Sequence, residues 1–500
     1  MNPPHIQATI LIIIIPLMSS YAIPLLGWRW KRSAYFIALT AIGASLVCSL
    51  ILLSTVLTQG TIHYHLGGWL PPWGIEYVID PLNGFMGVVV CTISFLVTLS
   101  SKKSVEKELP EKKVRFYTIY LLLFTGLMGI VVTGDVFNLY VFLEIASLSA
   151  YALIAIGEDG APLASFNYII MGTIGACFYL LGVGYLYIVT GSLNMADLAR
   201  LLPPLYHSKV VLIALAFFLI GTSIKMGLFP LHGWLPDAYT HAPSAVSSFI
   251  APVMTKVMVY ILIRVMFTVF QPSYSLRALP LGEILSWLAA AAILIGSIIA
   301  IAQSDLKRML AYSSVANIGF IVLGVGLANR TALIGGLLHI LNHALMKATL
   351  FLIAGGVMYK MGMRNIYQFR GLCRKMPLTM AAFIIAALSM VGIPPTGGFF
   401  SKLYLILGAI EARQWFFVAV ILASSLITAV YFFRVIEIAF FKPDESTEGR
   451  EMGDEKIARD EMPWSMLIPT LLTALGIIAA GVFNGEIISA VLQFAVPAGF

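Results

Sequence analysis

Apolar runs of about twenty residues recur from one end of this chain to the other, and no other feature constrains its folding as strongly. A helix needs roughly twenty mostly apolar residues to cross the hydrocarbon of a bilayer. By that measure the spans are residues 6–26, 34–57, 80–100, 116–133, 136–156, 162–190, 210–236, 244–268, 281–303, 308–327, 331–358, 377–409, 414–441 and 464–483. Only 11% of the residues are charged, against roughly 25% in soluble domains, and the mean hydropathy is +0.92. A water-soluble core, a disordered chain, a collagen and a nucleic-acid binder working through a basic surface are excluded. What remains is an all-α integral membrane protein with about 14 transmembrane helices. It forms a single polytopic domain over 1–500, with no linker to a soluble part. No basic stretch precedes the first run, which reads as a retained span rather than a cleaved signal.

The loops give the orientation. Most of the 31 Lys and Arg fall on one side of the alternating spans: in Arg29–Arg32, Lys102–Arg115, Lys307–Arg308, Lys360–Lys375 and Lys442–Arg459. The opposite loops carry Arg200, Lys209, Arg277, Arg330 and Arg413. Basic loops stay on the cytoplasmic side, so both termini are expected outside a prokaryotic cytoplasmic (inner) membrane. The net charge of +7 follows from that orientation and implies no nucleic-acid partner. Ser101–Arg115 and Lys442–Pro463 read as the two long charged loops.

The four cysteines lie far apart and form neither a Cys-x-x-Cys nor an iron–sulfur spacing. No cofactor is expected in this chain. His339 and His343 stand four apart, but no Glu follows the first of them as a zinc-protease helix requires. No metal is expected either.

Two spans are interrupted, at Gly227-Leu-Phe-Pro230 and at Gly392-Ile-Pro-Pro395. Such breaks free backbone groups, which is tolerable only inside protein or beside a wet cavity. Laid over each other, the two breaks also align Gly233-Trp234 with Gly398-Phe399. Five spans separate them, so the second runs in the opposite direction. The chain therefore reads as two inverted five-helix repeats, approximately 116–268 and 281–441, with helices 7 and 12 broken.

Ionisable groups inside spans are costly, at least about 2.5–3.5 kcal/mol each at the centre, and are functional candidates by default. Glu144 lies mid-span, Lys225 just before the first break, Lys256 at the centre of the eighth span and Lys402 just after the second break. His339, His343 and Lys347 are spaced by four and share one helix face, as a row that passes protons or holds water would. Desolvation disfavours a charged ammonium and a nearby carboxylate favours it. Moving a Glu can therefore switch a buried Lys. Arg264 and Arg434 lie nearer span ends, where an arginine can snorkel. His232, Asp237 and His241 mark a candidate channel mouth. Asp80 and Asp135 suit helix N-termini. No nucleophile triad, Walker motif or carboxylate dyad is present, so no residue is expected to be catalytic.

Three stretches resemble a known family. They are Gly134-Asp-Val-Phe-Asn-Leu-Tyr-Val-Phe-Leu-Glu144, Lys225-Met-Gly-Leu-Phe-Pro-Leu-His232-Gly-Trp-Leu-Pro-Asp-Ala238 and Ser304-Asp-Leu-Lys-Arg-Met-Leu-Ala-Tyr-Ser-Ser314. They look like the antiporter-like subunits of respiratory complex I, of Mrp-type multisubunit cation/proton antiporters and of membrane-bound hydrogenases. Within that family Thr190-Gly-Ser-Leu-Asn-Met-Ala-Asp-Leu198 most resembles the Mrp D subunit. The resemblance implies a mid-membrane proton path in which Glu144 and Lys225 form the first pair, Lys256 connects onward, His339, His343 and Lys347 continue, and Lys402 stands near the far exit. It implies a multisubunit Mrp-type assembly exchanging protons for Na+, with other membrane subunits and the lipid bilayer as partners. The alternative is a proton-pumping subunit of a complex I-like NADH:quinone oxidoreductase or a hydrogenase, whose redox centres sit in other chains.

Overall fold

A computed structural model describes residues 4–27, 29–442 and 459–497. It is helical almost throughout. The long helices are α1 (Pro4–Gly27), α2 (Ser33–Gln59), α3 (Pro81–Glu108), α4 (Lys113–Val132), α5 (Val136–Ala155) and α6 (Ala161–Thr190). The first broken span is α7 (Lys209–Met226) followed by the short α8 (Trp234–His241). Then come α9 (Ser244–Val269), α10 (Leu281–Ile301), α11 (Leu306–Gly326) and α12 (Arg330–Met361). The second broken span is α13 (Pro377–Val391) and α14 (Gly397–Glu411); α15 (Trp415–Phe441) and α16 (Trp464–Val482) close the set. Among the described residues, thirteen helices are long and apolar enough to cross a bilayer. The two halves of the second broken span make the fourteenth crossing.

Burial orders these helices. The apolar stretch of α9 is buried all round, and those of α11 and α12 almost so. A helix apolar and buried on every face belongs to the core of the bundle. By contrast α1, α2, α6 and α15 bury a narrower stripe and leave large apolar side chains outward, such as Phe36, Phe166, Ile188 and Leu426. In a bilayer that is the expected rim. Small residues let neighbours close up. A Cβ on Gly296 would meet the backbone of Ala316 at 2.8 Å, and one on Gly221 the Gly175 oxygen at 2.7 Å.

Both breaks have the same local build. Gly227 ends α7 at φ 71° and Gly392 ends α13 at φ 93°, a left-handed conformation that glycine adopts without a Cβ penalty. The second half-helix then packs hard against the first. A Cβ on Gly398 would lie 1.9 Å from the Ser389 oxygen. The two breaks lie five crossings apart in chain order.

Three features depart from the sequence reading. The stretch Ser101–Glu108 is not loop: α3 continues through it and only four residues lead to α4. Between α2 and α3 a hairpin forms, β1 (Ile62–His65) antiparallel to β2 (Glu76–Ile79), an exception to the all-helical fold. Glu76 is buried there, with His63 Nδ1 at 2.6 Å and Asn194 Nδ2 at 2.8 Å. Arg264 does not snorkel. It is 8% exposed and bonds Asp80 Oδ1 at 2.6 Å and the Tyr260 hydroxyl at 2.8 Å. Arg434 caps the carbonyls of Ile301 and Gln303, both at 2.7 Å, an anchoring role. Of the loop Lys442–Pro463, residues 443–458 lie outside the described residues.

Candidate functional site

Wherever a helix unwinds, a carbonyl oxygen loses its amide partner. In this bundle buried lysines take several of those oxygens. In α9 a π-turn over Ile250–Met254 surrounds Pro252, which lacks an N–H. Lys256 Nζ donates to the Ala251 oxygen there at 2.7 Å. At the second break Lys402 Nζ donates to the oxygens of Met390 and Val391 at 2.8 and 3.0 Å, and to Ser425 Oγ at 3.0 Å. At the first break the Trp234 indole N–H serves the Ile224 oxygen at 2.9 Å, and its ring stacks on Tyr168 at 3.9 Å. Lys347 Nζ bonds the Leu310 oxygen at 2.6 Å and Ser313 Oγ at 2.5 Å. Each ammonium thus sits among neutral oxygens. Among the described residues no carboxylate lies within 4.0 Å of Lys256, Lys347 or Lys402.

Lys225 differs. Its Nζ lies 2.7 Å from Ser147 Oγ and 3.3 Å from Glu144 Oε1. The lysine side chain is 1% exposed and that of Glu144 is 27% exposed. The carboxylate is therefore partly exposed on α5, while the ammonium is buried inside. A carboxylate that moves beside a buried amine can switch the amine's charge.

Further along, the stripe on α12 is assembled as its spacing predicts. His339 Nδ1 lies 2.9 Å from Ser401 Oγ, and Nε2 lies 3.0 Å from Asn317 Oδ1. Asn317 donates its amide to the Ser313 oxygen at 2.7 Å, which leaves its carbonyl to accept from Nε2–H. The His339 and His343 rings are nearly parallel at 5.8 Å. Both nitrogens of His343 are buried and make no hydrogen bond among the described residues. Buried imidazole nitrogens are normally satisfied by protein or by water. Phe320 lies between His339, at 5.5 Å, and the Lys402 ammonium, 5.1 Å from its ring centre.

His339, His343 and Lys347 follow one another a turn apart on α12, so in an apolar interior a proton added at one of them would repel a proton on the next. The predicted residues thus fall into two arrays. Glu144 and Lys225 form a paired site. Lys256, Lys347, His343, His339 and Lys402 form a row without a counter-ion.

The candidate mouth is less uniform. Asp237 pairs with Arg308 at 3.3 Å, and His241 Nδ1 lies 3.0 Å from the Asp237 oxygen on the wall of a cavity. His232 is set back between Phe229 and Tyr312 with Nδ1 buried and without a hydrogen-bond partner among the described residues. Sequence reasoning missed Asn317, Ser313, Ser401 and Ser425, which hold the row in place. A single polar residue in an apolar helix carries no signal of which neighbour it will serve.

Comparison with known proteins agrees with this architecture. Residues 133–428 match the family model described as NADH:quinone oxidoreductase/Mrp antiporter, TM. The chain is 51% identical over 98% of both chains to NADH-quinone oxidoreductase subunit N of Desulforudis audaxviator. It is 32% identical to the D subunit of the Na(+)/H(+) antiporter of Alkalihalophilus pseudofirmus, over 89% of this chain and 88% of that one. A solved chain of the membrane-bound sulfane sulfur reductase, an archaeal respiratory membrane complex, superposes with a TM-score of 0.89 at 32% identity, covering 98% of this chain and 97% of that chain. Similarity to the oxidoreductase N subunit exceeds similarity to the antiporter D subunit, the reverse of what residues 190–198 suggested. The chain is a multi-pass membrane protein and belongs to the family of antiporter-like membrane subunits shared by NADH:quinone oxidoreductases and Mrp antiporters.

Proposed function

We propose that this chain is the proton-translocating subunit of a redox-driven, complex I-like membrane assembly. The observation that carries the reading is the set of four lysines, each 5% exposed or less, held inside one bundle with one partly exposed carboxylate, Glu144, beside Lys225. Burying so many cations costs several kcal/mol each. A scaffold would replace them with apolar residues at no loss. A path for protons needs groups that gain and lose charge in place. Glu144 moving toward Lys225 favours its charged form, and moving away releases a proton into the row. Repulsion along Lys256, Lys347 and the two imidazoles then drives a proton toward Lys402. The basic loop face is the cytoplasmic one, both termini lie outside, and the membrane is the inner membrane of a prokaryote.

The 51% identity to an oxidoreductase subunit over nearly the whole chain favours electron transfer as the driving force. Flavin, iron–sulfur clusters and quinone would belong to other subunits. The second reading is an Mrp-type antiporter subunit exchanging protons for Na+, supported by the 32% identity to a D subunit. Extraction in mild detergent, followed by mass spectrometry and iron and flavin analysis of the co-purifying chains, separates the two. Peripheral subunits with iron or flavin are expected. Small membrane subunits alone, with Na+-dependent proton flux, would overturn the redox reading in favour of the antiporter.

A further inference from the structure

On the basic loop face, the end of α3 and the starts of α9 and α11 surround a cavity of about 210 Å³. Lys107, Glu108, Glu158, His241, Lys307 and Arg364 line it. Glu108 stands at the C-terminal end of α3, where the helix dipole disfavours a carboxylate. It is held there by the α9 N-terminus, whose Ser244 N–H donates to Oε2 at 2.8 Å. Its other oxygen accepts from Ser104 Oγ at 2.8 Å. Across the cavity Lys307 is 7% exposed and its ammonium donates to the Ala242 oxygen at 3.0 Å. Glu108 and Lys307 both line the cavity, yet no ion pair within 4.0 Å joins them among the described residues. The space between them is open to water.

A second, smaller void lies beside the first. Ser244 borders both, and Ser104 joins Ser100, Ser101 and Ser248 on the new wall, with Gly355 of α12 opposite. Its volume is about 10 Å³, close to the room one water requires. Serines often serve only to let membrane helices pack closely. Here the packing is not closed: the void lies among Ser100, Ser104 and Ser248 and apolar side chains such as Val97 and Leu352, and Ser104 joins it to the Glu108 carboxylate. The neck also points the right way. Lys256 lies two turns beyond Ser248 on α9, and Lys347 lies two turns before Gly355 on α12.

We propose that this cavity and its serine neck are the cytoplasmic inlet of the proton path, with Glu108 as the group that takes the proton from solution. The inlet feeds the Lys256–Lys347 row directly, by a route separate from the Glu144–Lys225 pair. Proton transfer runs from hydronium to the Glu108 carboxylate, then through Ser104 and one water in the neck. The inlet rests on the proton-translocating reading given above.

The test uses the intact complex in oriented vesicles. Ser104→Cys is expected to react with a membrane-impermeant, positively charged methanethiosulfonate from the cytoplasmic side only, read by peptide mass spectrometry at position 104. The modified complex should lose proton movement by at least about tenfold, the lower end of what a positioned proton-transfer group contributes being larger still. Glu108→Gln should slow proton movement by a similar factor with assembly intact, and Glu108→Asp should restore most of it. A Glu108→Gln complex at the wild-type rate overturns the inlet. So does Ser104→Cys that stays unlabelled in an assembled complex, or that is labelled without effect. A wild-type complex that moves no protons overturns the functional reading instead, and the labelling then reports separately on whether the neck is wet.

Discussion

Lys225→Arg separates two roles that Lys225 combines, carrying charge against Glu144 and giving up a proton. At the observed 3.3 Å, and with an effective dielectric of about 20, two unit charges attract by about 5 kcal/mol. Removing one partner of a buried pair destabilises by about 3–5 kcal/mol, so Lys225→Ala should weaken the bundle as well as stop transport. Arginine keeps the charge and can still reach Ser147 and Glu144. What it loses is the ability to become neutral. A free guanidinium releases its proton about 2–3 pH units above a free ammonium, a difference of about 3–4 kcal/mol. If the transport cycle requires a neutral group at position 225, Lys225→Arg should slow it by about two to three orders of magnitude. The assay is proton uptake by proteoliposomes containing the purified complex, with assembly followed by native electrophoresis. An assembled Lys225→Arg complex that pumps at close to the wild-type rate would refute the switch.

Four other outcomes follow from the same geometry. His343→Leu removes no protein hydrogen bond, because both ring nitrogens lack partners among the described residues; thermal stability should hold or rise while proton transport falls, and loss of both together would mean His343 is structural. Lys402→Met strands the Met390 and Val391 carbonyls, at about 1–3 kcal/mol each, and should lower the thermal midpoint, whereas Lys402→Gln should recover stability without transport. Gly398→Ala places a methyl 1.9 Å from the Ser389 oxygen and should destabilise the bundle by about 1–3 kcal/mol, measured by the temperature of aggregation in detergent. Burial opposes the charge on Asp80, but the Arg264 guanidinium and the N–H groups of Asn83 and Leu82 outweigh it and hold the carboxyl below the usual range. A carboxyl lowered in the folded state stabilises above the unfolded value, about 3.9, and that contribution is lost as pH falls through the lower folded value. Asp80→Asn should therefore flatten the acid limb of the stability profile.

The spans were legible because a bilayer demands about twenty apolar residues, and the breaks because Gly227-Leu-Phe-Pro230 and Gly392-Ile-Pro-Pro395 punctuate otherwise continuous runs. Glu144, Lys225, Lys256, His339, His343, Lys347 and Lys402 stood out against an apolar background, and the i, i+4 spacing placed three of them on one face. The partners of the lysines were not legible. Which carbonyl is free depends on where a helix unwinds, and the π-turn before Lys256 has no clearer sequence mark than one proline. The end of α3 was missed because Lys102, Lys103, Glu106, Lys107 and Glu108 look like loop, yet a helix can continue past the membrane when its last turns pack against a neighbour. Arg264 was misplaced because its partner Asp80 lies 184 residues away. Glu108 and the serine neck escaped for the same reason: their meaning arises only when α3, α9 and α12 come together.

The central claim is that protons pass along the buried lysine row, and Lys347 tests it most directly. It is fully buried and, among the described residues, bonded to neutral oxygens alone. The measurement is the initial rate of acidification inside proteoliposomes holding the intact complex, driven by its electron donor, for the wild type and for Lys347→Met. The account predicts an assembled Lys347→Met complex with proton movement reduced to background. Proton movement at the wild-type rate in that complex would contradict it.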